Sequence, residues 1–293
     1  MAHFEDSFSF SFQGQELKTW FRVSGEIRAN GLVPLVVCQG EPGSSHDHLL
    51  PLAALSRSRP VIHYDQVGNG RSARSSAWEL FNVDLFVTEL AELVKALGLE
   101  RFVLLGHAWG ALIAQEYAIS ASKPPSALIL SSGFGSVEHL RNEVWRLLDS
   151  LPLESARALR EEPRDSQEVR RALVTFRTRH LCRVLPVPEE INRSIHWVKA
   201  NPSINRLFTE GLTLGNRISG WSSLDRLERL ERPVLLVSGF YDTATPVLQQ
   251  EMLGQIPNAS WHLFKASSSS AYLEERGRYM DLIATFLSSI DGT

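Results

Sequence analysis

The chain has 293 residues, of which 43% are hydrophobic and 22% charged, and a formal net charge of −3. That length suits one large α/β domain with an inserted segment, and the composition is that of an ordinary globular protein. No Lys/Arg-rich run is available to hold a phosphate backbone, and no apolar stretch approaches bilayer-spanning length, so neither nucleic acid nor membrane is an expected partner. The N-terminal residues Met1 to Asp6 have neither a basic nor an apolar leader region, so no secretory signal is read there. Two cysteines, Cys38 and Cys182, are too far apart to suggest a disulfide framework, and a cytoplasmic location is expected. Cys38 ends an apolar run and reads as a small core residue.

In chain order, Phe8–Phe12 and Leu17–Val23 alternate around Gln13-Gly14 and predict an antiparallel hairpin. Leu32–Cys38 and Pro60–Tyr64 are continuous apolar runs, as expected for strands buried on both faces. Phe86, Leu90, Leu93, Val94 and Leu97 share one helical face, and Gly98 supplies the stop. Phe102–Leu105, Ala127–Leu130 and Pro233–Ser238 predict three more buried strands, Trp261–Phe264 a shorter last one, and Leu273–Leu287 a closing amphipathic helix. Strands alternating with helices imply the α/β class, with a mostly parallel sheet covered on both faces. The alternation fails over residues 136–230, which are rich in Arg, Glu and Leu at helical spacing and have no convincing strand. The expected organisation is a core from 1–135 and 231–293, with a helical lid at 136–230.

Four local patterns carry the chemistry. Gln39-Gly40-Glu41-Pro42-Gly43 follows the first buried strand, and Asp65-Gln66-Val67-Gly68-Asn69-Gly70-Arg71-Ser72 follows the next. Gly106-His107-Ala108-Trp109-Gly110 lies between a strand and a helix-forming run, where G-x-S-x-G would place a nucleophile on a sharp turn. Gly239-Phe240-Tyr241-Asp242 follows a late strand. The central residue of the elbow is Ala108, whose methyl group cannot attack a carbonyl.

Together these patterns resemble the α/β-hydrolase superfamily, and within it the proline iminopeptidase-like branch with its H-G-G-P-G loop, D-Q-x-G-x-G-x-S turn and G-x-S-W-G elbow. His180-Leu181-Cys182-Arg183 and Pro186-Val187-Pro188 are similar to a lid segment of the same branch. The resemblance implies an α/β-hydrolase fold, an oxyanion hole built from the amides of Glu41 and Trp109, and Asp242 as the acid that orients a histidine. Counting back from Leu273-Glu274-Glu275 puts Ser269 at the histidine position, where a hydroxyl cannot serve as imidazole does. His262, seven residues upstream, reads as a strand residue. Glu41 stands where the family has glycine, and its carboxylate would repel a developing oxyanion. In Glu210-Gly211-Leu212-Thr213-Leu214, Leu214 falls at or near the place of the family's amine-binding glutamate. The elbow also resembles that of epoxide hydrolases, whose nucleophile is an aspartate.

The expected pocket residues are Gln39, Gly40, His107, Tyr241, Trp197 and Leu214, with Trp109 adjoining the elbow and His107 packing beneath the loop. His46-Asp47-His48 has no well-spaced third ligand for a metal, and no cofactor is expected. Several departures that fit together favour natural divergence, so the expected protein is a non-hydrolytic enzyme on a hydrolase scaffold. It would cyclise, cycloadd, eliminate or isomerise a small, largely apolar metabolite without a covalent intermediate, with Glu41 and Asp242 as acid/base candidates. The alternatives are a serine hydrolase of the iminopeptidase, amidase or esterase class carrying an inactivating change, and a non-catalytic binder of a small ligand. Nothing in the sequence sets the oligomeric state.

Overall fold

The computed structural model describes residues 3–26, 32–75, 77–163, 166–210 and 212–292. An eight-stranded sheet runs in the order β1 (His3–Phe12), β2 (Gln15–Ser24), β4 (Val61–Asp65), β3 (Leu35–Cys38), β5 (Val103–His107), β6 (Ala127–Ser131), β9 (Val234–Gly239), β10 (Ala259–Phe264). β1 and β2 form the antiparallel hairpin that the alternation predicts, and β2 also joins β4 antiparallel. From β4 to β10 all pairings are parallel.

The continuous apolar runs are explained by burial on both faces. Val36, Cys38, Leu104, Leu128, Leu130 and Leu236 point into one core, and Leu35, Val37, Val103, Leu105, Ile129 and Val237 into the other. The first core is closed by α1 (Val83–Ala96), α2 (Trp109–Ser120) and residues of the segment after β6. The second is closed by a run of 3₁₀ turns over His46–Arg57 and by α10 (Arg276–Asp291). Asn82 caps α1, its side chain accepting from the Leu85 amide at 2.9 Å.

Between β6 and β9 lie α3 (Val137–Asp149), α4 (Leu153–Glu161), α5 (Gln167–His180), α6 (Glu189–Ala200) and α7 (Pro202–Phe208). A two-residue hairpin of β7 (Thr209–Glu210) and β8 (Thr213–Leu214) follows, in a stretch expected to hold no strand. Such short pairing leaves no period-2 signature to read. The expected closing helix is broken instead at Glu275 (φ −121°, ψ 47°), giving α9 (Ala271–Glu274) before α10; α8 (Pro246–Leu253) precedes β10. Among the described residues, no helix is long and apolar enough to cross a membrane.

In a parallel sheet, loops at the carboxyl ends of the strands face one common side. Gln39–Pro42 leave β3, Ala108 leaves β5, Ser132 leaves β6, Asp242 follows β9, and Ser267–Ser270 follow β10. Sequence positions more than 200 residues apart therefore converge.

Candidate active site

Ala108 has φ 47° and ψ −111°, a conformation that L-residues rarely adopt. Its amide donates to the Ser131 carbonyl at 2.9 Å, and its own carbonyl accepts from Ala111 at 2.9 Å, which holds the turn. A side chain on Gly110 would collide with the carbonyl oxygens of Cys38 and Gln39, so the helix enters against the neighbouring strand only because this residue is glycine. This is the geometry that lifts a nucleophile above a sheet, and what it lifts here is a methyl group.

The loop opposite differs from the expected oxyanion hole. The Trp109 amide is not free, because it donates to the Gly40 carbonyl at 3.2 Å. Among the described residues the Glu41 amide makes no hydrogen bond, so one of the two expected donors remains available. Gly40 is fixed from its other side, its amide donating to Nε2 of His48 at 3.3 Å while Nδ1 of His48 donates to the Ser45 carbonyl at 2.9 Å. Burial pushes His48 down to about 4 and His107, whose Nδ1 meets the Ser131 hydroxyl at 3.2 Å, to about 3. Both imidazoles are neutral braces near pH 7. His107 lies against the loop, its Cδ2 where a Cβ on Gly40 would sit.

Glu41 is exposed, yet loss of solvent is the main influence on its carboxyl and pushes it above the usual range. Arg177 of α5 opposes this, as does the Asn205 side-chain amide of α7, which reaches Oε1 at 3.4 Å. Asn205 also donates to the Pro42 carbonyl at 3.0 Å, pinning the segment after β6 onto the loop.

Asp242 is fully buried, and desolvation pushes its carboxyl up to about 6. Both of its carboxylate oxygens are engaged. The Ser132 hydroxyl donates to Oδ2 at 2.6 Å, and the Ala244 amide donates to Oδ1 at 3.0 Å. Ser269, at the position the resemblance gives to the histidine, donates through Oγ to Ser132 Oγ at 3.3 Å. Its amide donates to the His180 carbonyl at 3.3 Å, and His180 Nδ1 donates to the Tyr241 carbonyl at 2.8 Å. Ser132 is absent from the sequence reading, since nothing local marks a serine whose partner lies 110 residues away.

The remaining residues expected in the pocket make other contacts in the fold. Trp109 is 1% exposed, its indole donating to Gln66 Oε1 at 3.0 Å and its ring packing against Phe86 and Phe208. Gln39 is buried and donates to the same Gln66 oxygen at 3.4 Å. Trp197 of α6 donates to Asp47 at 3.2 Å, beside Arg193 at 3.1 Å, and so fastens α6 to the 3₁₀ run. Tyr241 lies at the surface under the Arg183 guanidinium, 3.9 Å from its ring centre. Leu214 is buried in the first core, while Gly211 of that segment lies outside the described residues. His46 and His48 diverge, His46 bonding to Asp65 at 2.9 Å. Cys38 is fully buried, and desolvation raises its thiol to about 12, beyond reach of ionisation at neutral pH.

A family model described as the alpha/beta hydrolase fold matches residues 33–275. The proline iminopeptidase of Heyndrickxia coagulans is 32% identical over 266 residues, covering 89% of this chain and 92% of that protein. That of Clostridioides difficile is 32% identical over 283 residues, covering 94% and 96%. Among solved structures, the proline iminopeptidase of Mycobacterium smegmatis superposes with a TM-score of 0.90 at 29% identity, over 98% of this chain and 99% of that one. VinJ does so with a TM-score of 0.90 at 28% identity, over 97% and 99%. With its strained elbow between β5 and α2 and its acid loop after β9, the chain belongs to the α/β-hydrolase fold family, in the proline iminopeptidase-like branch.

Proposed function

We propose that this protein binds a small, largely apolar metabolite beneath a lid formed by residues 136–230 and transforms it without a covalent intermediate or the addition of water. Cyclisation, cycloaddition, elimination and isomerisation fit such a site. The observation that carries the reading is the methyl group of Ala108 at the elbow apex, together with Ser132 bonded to Asp242 where an imidazole would otherwise be held. Acyl transfer needs a nucleophile, a base and an oriented acid acting as a unit. Here the first two are replaced, and the third is occupied.

What the pocket retains suits shaping a guest. Holding two reacting groups together contributes on the order of 7–11 kcal/mol where it replaces a bimolecular encounter, and orienting groups within one flexible molecule draws on part of the same effect. The free Glu41 amide supplies one aimed donor, and the Glu41 carboxyl, raised by desolvation, is a proton-handling group open to a ligand. The same raised carboxyl reduces the repulsion that an ionised glutamate would exert on electron-rich oxygen.

Mass balance is the direct test. Incubation with flexible, largely apolar polyene or polyketide-like intermediates should give products isomeric with, or dehydrated from, the input. Product heavier by one water would overturn the reading. Alanine and proline 4-nitroanilides should stay intact with the native chain and with Ala108→Ser. Release of 4-nitroaniline by the native chain would return the protein to the hydrolases.

A further inference from the structure

Asp242 is sealed from the pocket, but the groups stacked on it are not inert filler. Ser269 Oγ donates to Ser132 Oγ at 3.3 Å, and Ser132 Oγ lies 2.6 Å from Asp242 Oδ2. Ser132 Oγ is also 3.1 Å from the Ser269 carbonyl, but its single proton favours the shorter bond, to the carboxylate. Exposure falls inward along the row, from 8% at Ser269 to 3% at Ser132 and 0% at Asp242. With its own proton directed inward, Ser269 keeps its lone pairs for whatever lies outside.

The backbone at Ser132 adds an independent observation. Ser132 has φ 52°, which glycine would adopt at lower cost, and Gly133 follows immediately. Its amide is fixed by the Val237 carbonyl at 2.7 Å. A serine held in this conformation, with its hydroxyl aimed at a buried acid, gives the strain a chemical use.

We propose that Ser269, Ser132 and Asp242 form a proton-transfer chain, making Ser269 the pocket's basic end toward an acidic O–H, N–H or activated C–H of a bound ligand. The inference rests on the non-covalent reading of the site and supplies its base. In the step, the ligand's proton moves to Ser269 Oγ, the Ser269 proton to Ser132 Oγ, and the Ser132 proton to Asp242 Oδ2. The ligand keeps the electron pair of the broken bond, and no oxidant or metal is consumed. Oδ1 stays held by the Ala244 amide at 3.0 Å and the Thr243 hydroxyl at 3.4 Å while Oδ2 is protonated. Desolvation, assisted by the Glu274 charge, leaves Asp242 ionised at neutral pH yet far more basic than an ordinary aspartate. Ser269 is then the catalytic residue, and the other two act through it.

The probe is 5-nitrobenzisoxazole, whose ring opens when a base removes the C3 proton: the C–H electron pair becomes the third C–N bond of a nitrile, the N–O bond breaks with its pair going to oxygen, and the single product is the coloured 2-cyano-4-nitrophenolate. No water is added, so the readout is separate from hydrolysis. The native chain should turn over the probe faster than acetate at the same concentration. Ser269→Ala, Ser132→Ala and Asp242→Asn should each lose at least tenfold. The Ser132→Ala/Asp242→Asn pair should lose no more than the worse single change. The slope of log kcat against pH should break near 6 in the native chain and lose that break in Asp242→Asn. Should Ser132→Ala fail to fold, Ser269→Ala at the more open end carries the same test. Native-like rates in folded Ser269→Ala and Asp242→Asn would overturn the chain. So would a native rate no better than acetate, or one abolished by Glu41→Gln alone.

Discussion

The amide of Trp109 and the carbonyl of Gly40 face each other across 3.2 Å, so the helix after the elbow and the loop after β3 are bonded to one another. A donor spent in this way does not stabilise an oxyanion, and the loop's position depends on a residue without a side chain. A Cβ on Gly40 would overlap His107 Cδ2 and stand 3.0 Å from His48 Nε2. Gly40→Ala should therefore destabilise the fold by about 1–3 kcal/mol, as overpacking of a closed core does. Thermal unfolding would show it as a clear fall in Tm, and an unchanged Tm would mean that the two imidazoles give way freely.

The buried titratable groups set opposing limits on stability. His48, His63 and His107 are pushed by burial from 6.5 to about 4, about 3 and about 3, so the native state binds fewer protons than the unfolded chain as pH falls below 6.5. Their stability is present above 6.5 and is lost as pH drops. Glu89 has the opposite sign, because burial raises it from 4.5 to about 8. Its stability is full below 4.5 and declines as pH rises toward 8, by up to about 1.4 kcal/mol per unit. Denaturant titrations should find maximum stability near pH 6.5.

Glu89→Gln isolates the alkaline limb of that curve. Glu89 Oε1 accepts from the Thr19 hydroxyl and from the Val67 amide at 2.8 Å, and a glutamine oxygen accepts both. The amide carries no proton to lose, so the decline from pH 6.5 to 8 should flatten while the acid limb persists. An undiminished alkaline decline would assign the effect to another group.

Much of this architecture was legible in the chain, for a physical reason. Strands buried on both faces are apolar along most of their length, and the runs read at 32–38, 60–64, 102–105, 127–130 and 233–238 overlap the five central strands. The elbow was legible because its glycines sit where two backbones touch. Partnerships across the sheet were not. Gln39, Gln66 and Trp109 share one hydrogen-bonded oxygen, but each alone reads as an independent residue. The bond from the Trp197 indole to Asp47 could not be read from the sequence either, because an aromatic residue carries no local mark of its polar partner. Ser132 was invisible because its meaning depends on Asp242 and Ser269, which only the folded sheet brings beside it.

Phe208 at the end of α7 packs the segment after β6 onto the core. Its ring is fully buried, 5.0 Å from Trp109 and 5.8 Å from Phe86 between centres, so one side chain couples that segment to the elbow helix and to α1. At the far end, Arg226 binds Glu116 of α2 through two bonds of 2.8 and 2.7 Å, and the Trp221 indole shares the same carboxylate at 2.7 Å. The two anchors differ in kind. Phe208→Ala leaves a cavity above the elbow and should cost about 3–5 kcal/mol, whereas Glu116→Gln keeps the shape and loses charge assistance. If Phe208 holds this segment shut, Phe208→Ala should speed protease cleavage within 150–210 well beyond the increase across the remainder of the chain, and Glu116→Gln should change that ratio little. Equal acceleration everywhere would mean that the substitution loosens the whole core and that the segment does not open as a unit.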